Sequence, residues 1–147
     1  MSAKLELLRP LGIAPDGEQL ETTVDRSIAA TSLAARLFAE ASPRALLALN
    51  PGARKADHRW TAEAFGALAA ALAPELEVCP LVLWGPGEEA IAQATTDASR
   101  GTAKLAPPTD LAALAAVFRK SALVVTNDTG PMHLAVARRL LAGEAAA

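Results

Sequence analysis

The stretch Ala122-Leu123-Val124-Val125-Thr126-Asn127-Asp128-Thr129-Gly130-Pro131-Met132-His133-Leu134-Ala135 decides how the rest of the chain is read. Its first five residues are apolar or β-branched, and that run is short enough for a buried strand. Its middle is made of turn formers, and Pro131 suits a first helical position because its missing N–H costs nothing there. Strand, tight turn and helix start, in that order, present unpaired N–H groups and the positive end of a helix dipole at the carboxyl edge of a sheet. That edge is where α/β folds place their ligands.

Upstream, the same grammar recurs. Residues 45–49 are wholly apolar and run into Asn50-Pro51-Gly52, and residues 78–84 run into Gly85-Pro86-Gly87. Both predict buried parallel strands that end in turns. Between and around them, helices are expected over 25–41 (Ile28, Leu33, Leu37 and Phe38 inward, stopped by Ser42-Pro43), 61–72 (Thr61 capping, Phe65, Leu68 and Leu72 inward, Pro74 closing) and 88–98, which Gly101 ends. Lys104-Leu105 predicts a brief third strand, and Thr109-Asp110 starts a helix through Leu111, Leu114, Val117 and Phe118. Strands separated by helices of this length predict a Rossmann-like, doubly wound parallel sheet of the α/β class.

Residues 1–24, interrupted by Pro10, Gly12, Pro15 and Gly17, are expected to be a linker or edge segment, leaving 25–147 as one domain. After the helix begun at Pro131, an Ala-rich tail stands where a closing strand would be expected.

The totals bound the function. The chain has 147 residues, 52% hydrophobic but only 3% aromatic, so its core is built largely from Ala and aliphatic side chains. A net charge of -2 gives no overall basic field and no reason to expect a nucleic-acid partner. The single Cys79 excludes an internal disulfide, and no Cys/His pair at metal spacing accompanies it. The lone cysteine points to the cytosol, and since no apolar run approaches the ~20 residues of a membrane span, a soluble chain is expected.

Three loops carry the candidate chemistry. In the first, the amides of Met132 and His133 are expected to be free for an anion, Gly130 allows close backbone approach, and the Thr129 hydroxyl can donate to phosphate. Asp128 is better suited to sugar hydroxyls or backbone amides, and His133 to acting as a neutral donor. The plainer reading makes Asn127 and Asp128 an Asx turn and helix cap, and His133 a packing residue.

In the second, Arg54, Lys55, His58 and Arg59 put four potentially cationic groups in six residues after a strand, beside Trp60. They suit a pyrophosphate, with a solvated charge run as the alternative. In the third, Glu88 or Glu89 can grip ribose hydroxyls, or simply favour a helix start. Neither the G-x-G-x-x-G fingerprint nor a P-loop is present, which argues against dehydrogenase and P-loop ATPase readings.

Taken together, Asn50-Pro51-Gly52-Ala53 with Trp60, Trp84-Gly85-Pro86 with Glu88, and above all Asp128-Thr129-Gly130-Pro131-Met132-His133-Leu134-Ala135 resemble the ADP-heptose:lipopolysaccharide heptosyltransferases, glycosyltransferase family 9. The resemblance covers residues 5 to 137. It implies the C-terminal, nucleotide-sugar-binding half of a GT-B type enzyme with two Rossmann-like domains. Asp128, Thr129, Gly130 and His133 would hold the diphosphate and sugar of ADP-heptose, with Met132 in the same turn, Glu88 near the ribose, and Arg54, Lys55 and His58 supplying charge. His58 stands where the family usually carries a lysine two residues before the tryptophan.

By the same resemblance the intact enzyme moves heptose to the lipopolysaccharide inner core, without metal or other cofactor, at the inner membrane surface. The catalytic aspartate belongs to an N-terminal acceptor domain with no counterpart here, so no catalytic residue is assigned and the chain alone is expected to be inactive. The alternatives are a non-catalytic nucleotide-binding or interaction module left by truncation, and a glycosyltransferase using another nucleotide sugar.

Overall fold

The computed structural model describes residues 28–53, 57 and 59–136. The expected linker over 1–24, the first turn of the helix predicted from residue 25, and the Ala-rich tail lie outside them. In chain order the elements are α1 (Ile28–Ala41), β1 (Ala45–Asn50), α2 (Ala62–Glu75), β2 (Val78–Val82), α3 (Glu89–Ala98), β3 (Lys104–Leu105), α4 (Leu111–Lys120) and β4 (Leu123–Thr126), followed by helical residues 130–136. The expected α/β architecture is therefore present, with strand and helix boundaries close to those predicted.

The strands form a four-stranded sheet in the order β3-β2-β1-β4, and every pairing is parallel. Both central strands are apolar because both of their faces are covered. Leu46 and Ala48 of β1 pack with Cys79, Leu81 and Leu83 against α1 and α4, while Leu47 and Leu49 pack with Val78 and Val82 against Phe65 of α2 and Ala92 of α3. Helices on both faces make the sheet doubly wound. Completely burying Phe65 and Phe118 contributes about 1.5–3 kcal/mol each.

Pro80 sits in the central strand β2, where a proline would ordinarily cost a ladder bond. Here Leu83 N donates to β1 (Leu49 O), whereas Val82 O accepts from the β3 side (Ala106 N). By alternation Pro80 faces the β3 side, and β3 pairs only with Leu81 and Val82. No hydrogen bond is lost.

Three details differ from the sequence expectation. Phe38 is 42% exposed and Leu111 61% exposed, because the buried stripe of α1 runs through Ala30, Ala34, Leu37 and Ala41 and that of α4 through residues 113–118. The Nζ of Lys120 lies 5.4 Å from the centre of the Phe38 ring instead. Pro74 lies inside α2 rather than after it. In the last turn it removes at most one helical bond, and the helix ends where Leu76 N bonds Leu72 O and Glu77 turns to φ 51.

The strand order fixes where loops converge. The chain proceeds outward from β1 to β2 to β3, then returns through α4 to lay β4 on the other side of β1. The direction of winding reverses between β1 and β4, and a crevice opens outside the carboxyl ends of strands at such a point.

Candidate functional site

The turn after β4 is built at that crevice. Asn50 and Thr126, paired in register at the ends of β1 and β4, are joined by a bond from Asn50 Nδ2 to Thr126 Oγ1 of 3.3 Å. One residue on, Asn127 is 6% exposed and its carboxamide spans the crevice. Its Nδ2 donates to Pro51 O at 2.8 Å, and its Oδ1 accepts from Trp60 N at 2.9 Å. The plainer expectation, that Asn127 spends its side chain on a local turn and cap, is replaced by bonds to residues 76 and 67 positions away.

Beyond Asn127 the turn opens to solvent. Asp128, Gly130 and His133 are exposed, and Thr129, Pro131 and Met132 are half-buried. His133 is thus not a packing residue. The Thr129 hydroxyl donates to Asn127 O at 3.4 Å, and its carbonyl accepts from Met132 N at 3.0 Å. The Met132 amide, expected to stand free for an anion, is therefore already engaged: the first helical turn closes on its own carbonyl. A Cβ placed on Gly130 would meet nothing within 4 Å. The chain's own packing does not require glycine at that position.

The turn after β2 reaches into the same region. Glu88 is half-buried, and its Oε2 accepts from Gly85 N at 3.1 Å. Its carboxylate lies directly over Gly52 of the β1 loop, where a Cβ would collide with Oε1. Glu88 makes no side-chain cap of α3. It closes its own turn and leaves Oε1 without a hydrogen bond among the described residues, so one oxygen of a held carboxylate remains able to accept from a hydroxyl. Glu89, its neighbour, is exposed and lines an open depression with Trp84, Gly87, Ala90 and Gln93.

Of the basic loop, Arg54, Lys55 and His58 lie outside the described residues. Arg59 is exposed, and its Nε donates to Ala53 O. Trp60, expected to pack beneath the loop, is 49% exposed, with its ring edge-on to Phe65 at 5.4 Å. Its backbone N–H, held by Asn127, fastens the loop more directly than its ring does.

Sequence reasoning passed over two supports of this edge. Trp84 Nε1 donates to Ala106 O at 2.8 Å, and Trp84 O accepts from the Thr109 hydroxyl at 2.7 Å. Thr109, expected to help start α4, instead ties the β3 loop to the end of β2; Asp110 caps the helix, accepting from Ala113 N at 2.7 Å. The signal available in sequence was the Trp-Gly-Pro turn, but the partners of Trp84 lie more than twenty residues downstream.

Among the described residues no group of three His, Cys, Asp or Glu side chains could hold a metal ion, and no helix is long and apolar enough to cross a membrane.

A parallel sheet wound on both faces, with three loops converging where its winding reverses, defines a Rossmann-like α/β domain. Over residues 5–140 the sequence matches glycosyltransferase family 9 (heptosyltransferase), and the chain belongs to that family. Among solved structures it is similar to Escherichia coli ADP-heptose LPS heptosyltransferase II, with 22% identity and a TM-score of 0.68 over 84% of this chain. It is also similar to E. coli heptosyltransferase WaaC with ADP-2-deoxy-2-fluoro heptose (22% identity, TM-score 0.63, 90% of this chain). The glycosyl transferase of family 9 from Veillonella parvula DSM 2008 is a third (21% identity, TM-score 0.68, 90% of this chain). At such identities the likeness is one of fold, that of the GT-B heptosyltransferases. The chain spans 39% of the length of each of these structures. A comparison with curated proteins found no match.

Proposed function

We propose that this chain is the donor-binding half of a heptosyltransferase and takes ADP-heptose in the crevice between β1 and β4, for transfer of the sugar to the lipopolysaccharide inner core. The observation that carries the reading is the position of the turn from Asp128 to His133, exposed at the point where the sheet reverses its winding, in a chain of glycosyltransferase family 9. The relative WaaC, solved with ADP and with an ADP-heptose analogue, supports the choice of nucleotide.

In this reading Asp128 accepts hydrogen bonds from sugar hydroxyls, and Thr129 and His133 donate to the diphosphate. Gly130 lets the ligand lie against the backbone, with Met132 beside it in the half-buried turn. Glu88 takes the ribose, and Arg54, Lys55 and His58 supply positive charge for the phosphates. Direct displacement at the sugar carbon, with inversion, releases ADP. Negative charge then grows on the departing phosphate oxygen, and positive side chains aimed there would lower the barrier. The reading needs no metal. The general base for the acceptor hydroxyl is assigned to the acceptor-binding half, so this chain by itself binds donor and turns nothing over.

Calorimetry with ADP and an ADP-sugar tests the binding. Asp128→Asn and His133→Ala should each weaken it roughly tenfold, the worth of one hydrogen bond to a charged partner, with the melting temperature unchanged. A folded wild-type chain indifferent to both ligands would sink the reading. Loss of fold in the variants would make these residues a structural turn.

A further inference from the structure

A buried carboxamide that uses its donor on one end of a loop and its acceptor on the other is a clasp. Asn127 does this: Pro51 O takes its N–H and Trp60 N–H meets its oxygen, and these two residues bracket the segment carrying Arg54, Lys55, His58 and Arg59. Asn127 also immediately precedes Asp128, so a single side chain ties both Pro51 and Trp60 to the start of the 128–133 turn. We infer that Asn127 is a positioning residue for nucleotide-sugar binding, holding Pro51 after β1 and Trp60 before α2 in register with the 128–133 turn.

The chemistry explains the residue type. The site needs one donor and one acceptor in a single planar group, at the reach of a two-atom side chain. Aspartate supplies no donor when ionised, and leucine supplies neither function. The clasp joins parts of the chain that are remote in sequence, so it restricts the loop where it leaves and where it returns. With Pro51 and Trp60 already fixed beside the turn, affinity gained through preorganisation is the expected result. The inference rests on the donor-binding reading above.

The test measures ADP affinity and thermal stability in the full chain for wild type, Asn127→Asp and Asn127→Ala. Asn127→Asp keeps the shape and the acceptor for Trp60 N–H but sets a carboxylate against Pro51 O. At neutral pH its ADP affinity is expected to fall roughly tenfold or more, as for the loss of a net hydrogen bond together with the preorganisation it supplies. Acidification protonates the new carboxyl, restores a donor toward Pro51 O, and should recover affinity relative to wild type at the same pH, a comparison that cancels whatever pH dependence the two proteins share. Asn127→Ala, which deletes both bonds without adding charge, should lose affinity with no recovery.

Unchanged affinity in the folded variants, or failure of both to fold, would overturn the positioning role and leave the donor-binding reading standing. Indifference of the wild type to ADP would overturn both.

Discussion

Two glycines at the crevice differ in what their substitution should do. Gly52 is crowded by the protein itself: a Cβ there would meet the Glu88 carboxylate, but only at the free end of a flexible side chain. Gly52→Ala should therefore leave stability nearly intact, swing Glu88 aside and remove its bond to Gly85 N. If Glu88 takes the ribose, discrimination between ADP and its 2′-deoxy analogue should fall about tenfold, measured by paired titrations. Gly130, by contrast, has open space beside it and lies in the first helical turn. Gly130→Ala should stabilise the helix by roughly 0.5–1 kcal/mol while weakening ADP binding, because only a ligand needs that space. A substitution that raises the melting temperature and lowers affinity separates a binding residue from a structural one. Neither contrast was visible in sequence: Gly52 and Glu88 lie on different loops, and Asn127 finds its partners 67 and 76 residues away. Residue types at turns were legible, but the pairs they form were not.

At the scale of elements, continuous apolar runs and caps carried the reading well. The apolar runs became β1, β2 and β4, and Thr61 and Asp110 cap α2 and α4 by accepting from Ala64 N and Ala113 N. Periodicity failed at Phe38 and Leu111, where large apolar side chains satisfied a helical spacing but the alanine stripe beside them faced the sheet. In a chain this rich in alanine, close approach of backbones selects the small residues for the buried face. The clearest case is Gly66 of α2, where a Cβ would come within 2.6 Å of the backbone carbon of Ala98 and 2.8 Å of Ser99 N at the end of α3. Backbone cannot swing aside. Gly66→Ala should destabilise the chain by about 1–3 kcal/mol through overpacking, read as a shift in denaturant midpoint at constant slope.

The whole molecule joins these scales through strand order. A net charge of -2 offers no attraction to a nucleoside diphosphate at long range, so affinity must come from groups gathered at one place. The reversal between β1 and β4 gathers them, bringing the ends of β1, β2 and β4 together while α2 and α3 cover one face and α1 and α4 the other. A ligand held there binds the folded chain alone, so ADP at a hundredfold excess over its dissociation constant should stabilise the fold by about 2.7 kcal/mol. The size of that ADP-induced shift then sorts substitutions by location. His133→Ala should shrink it at unchanged ligand-free stability. Gly66→Ala should lower ligand-free stability and keep the shift, since the contact it disturbs lies between helices on one face. Thermal melts of the two variants with and without ADP decide the matter: a shift lost in Gly66→Ala but retained in His133→Ala would move the binding site away from the crevice.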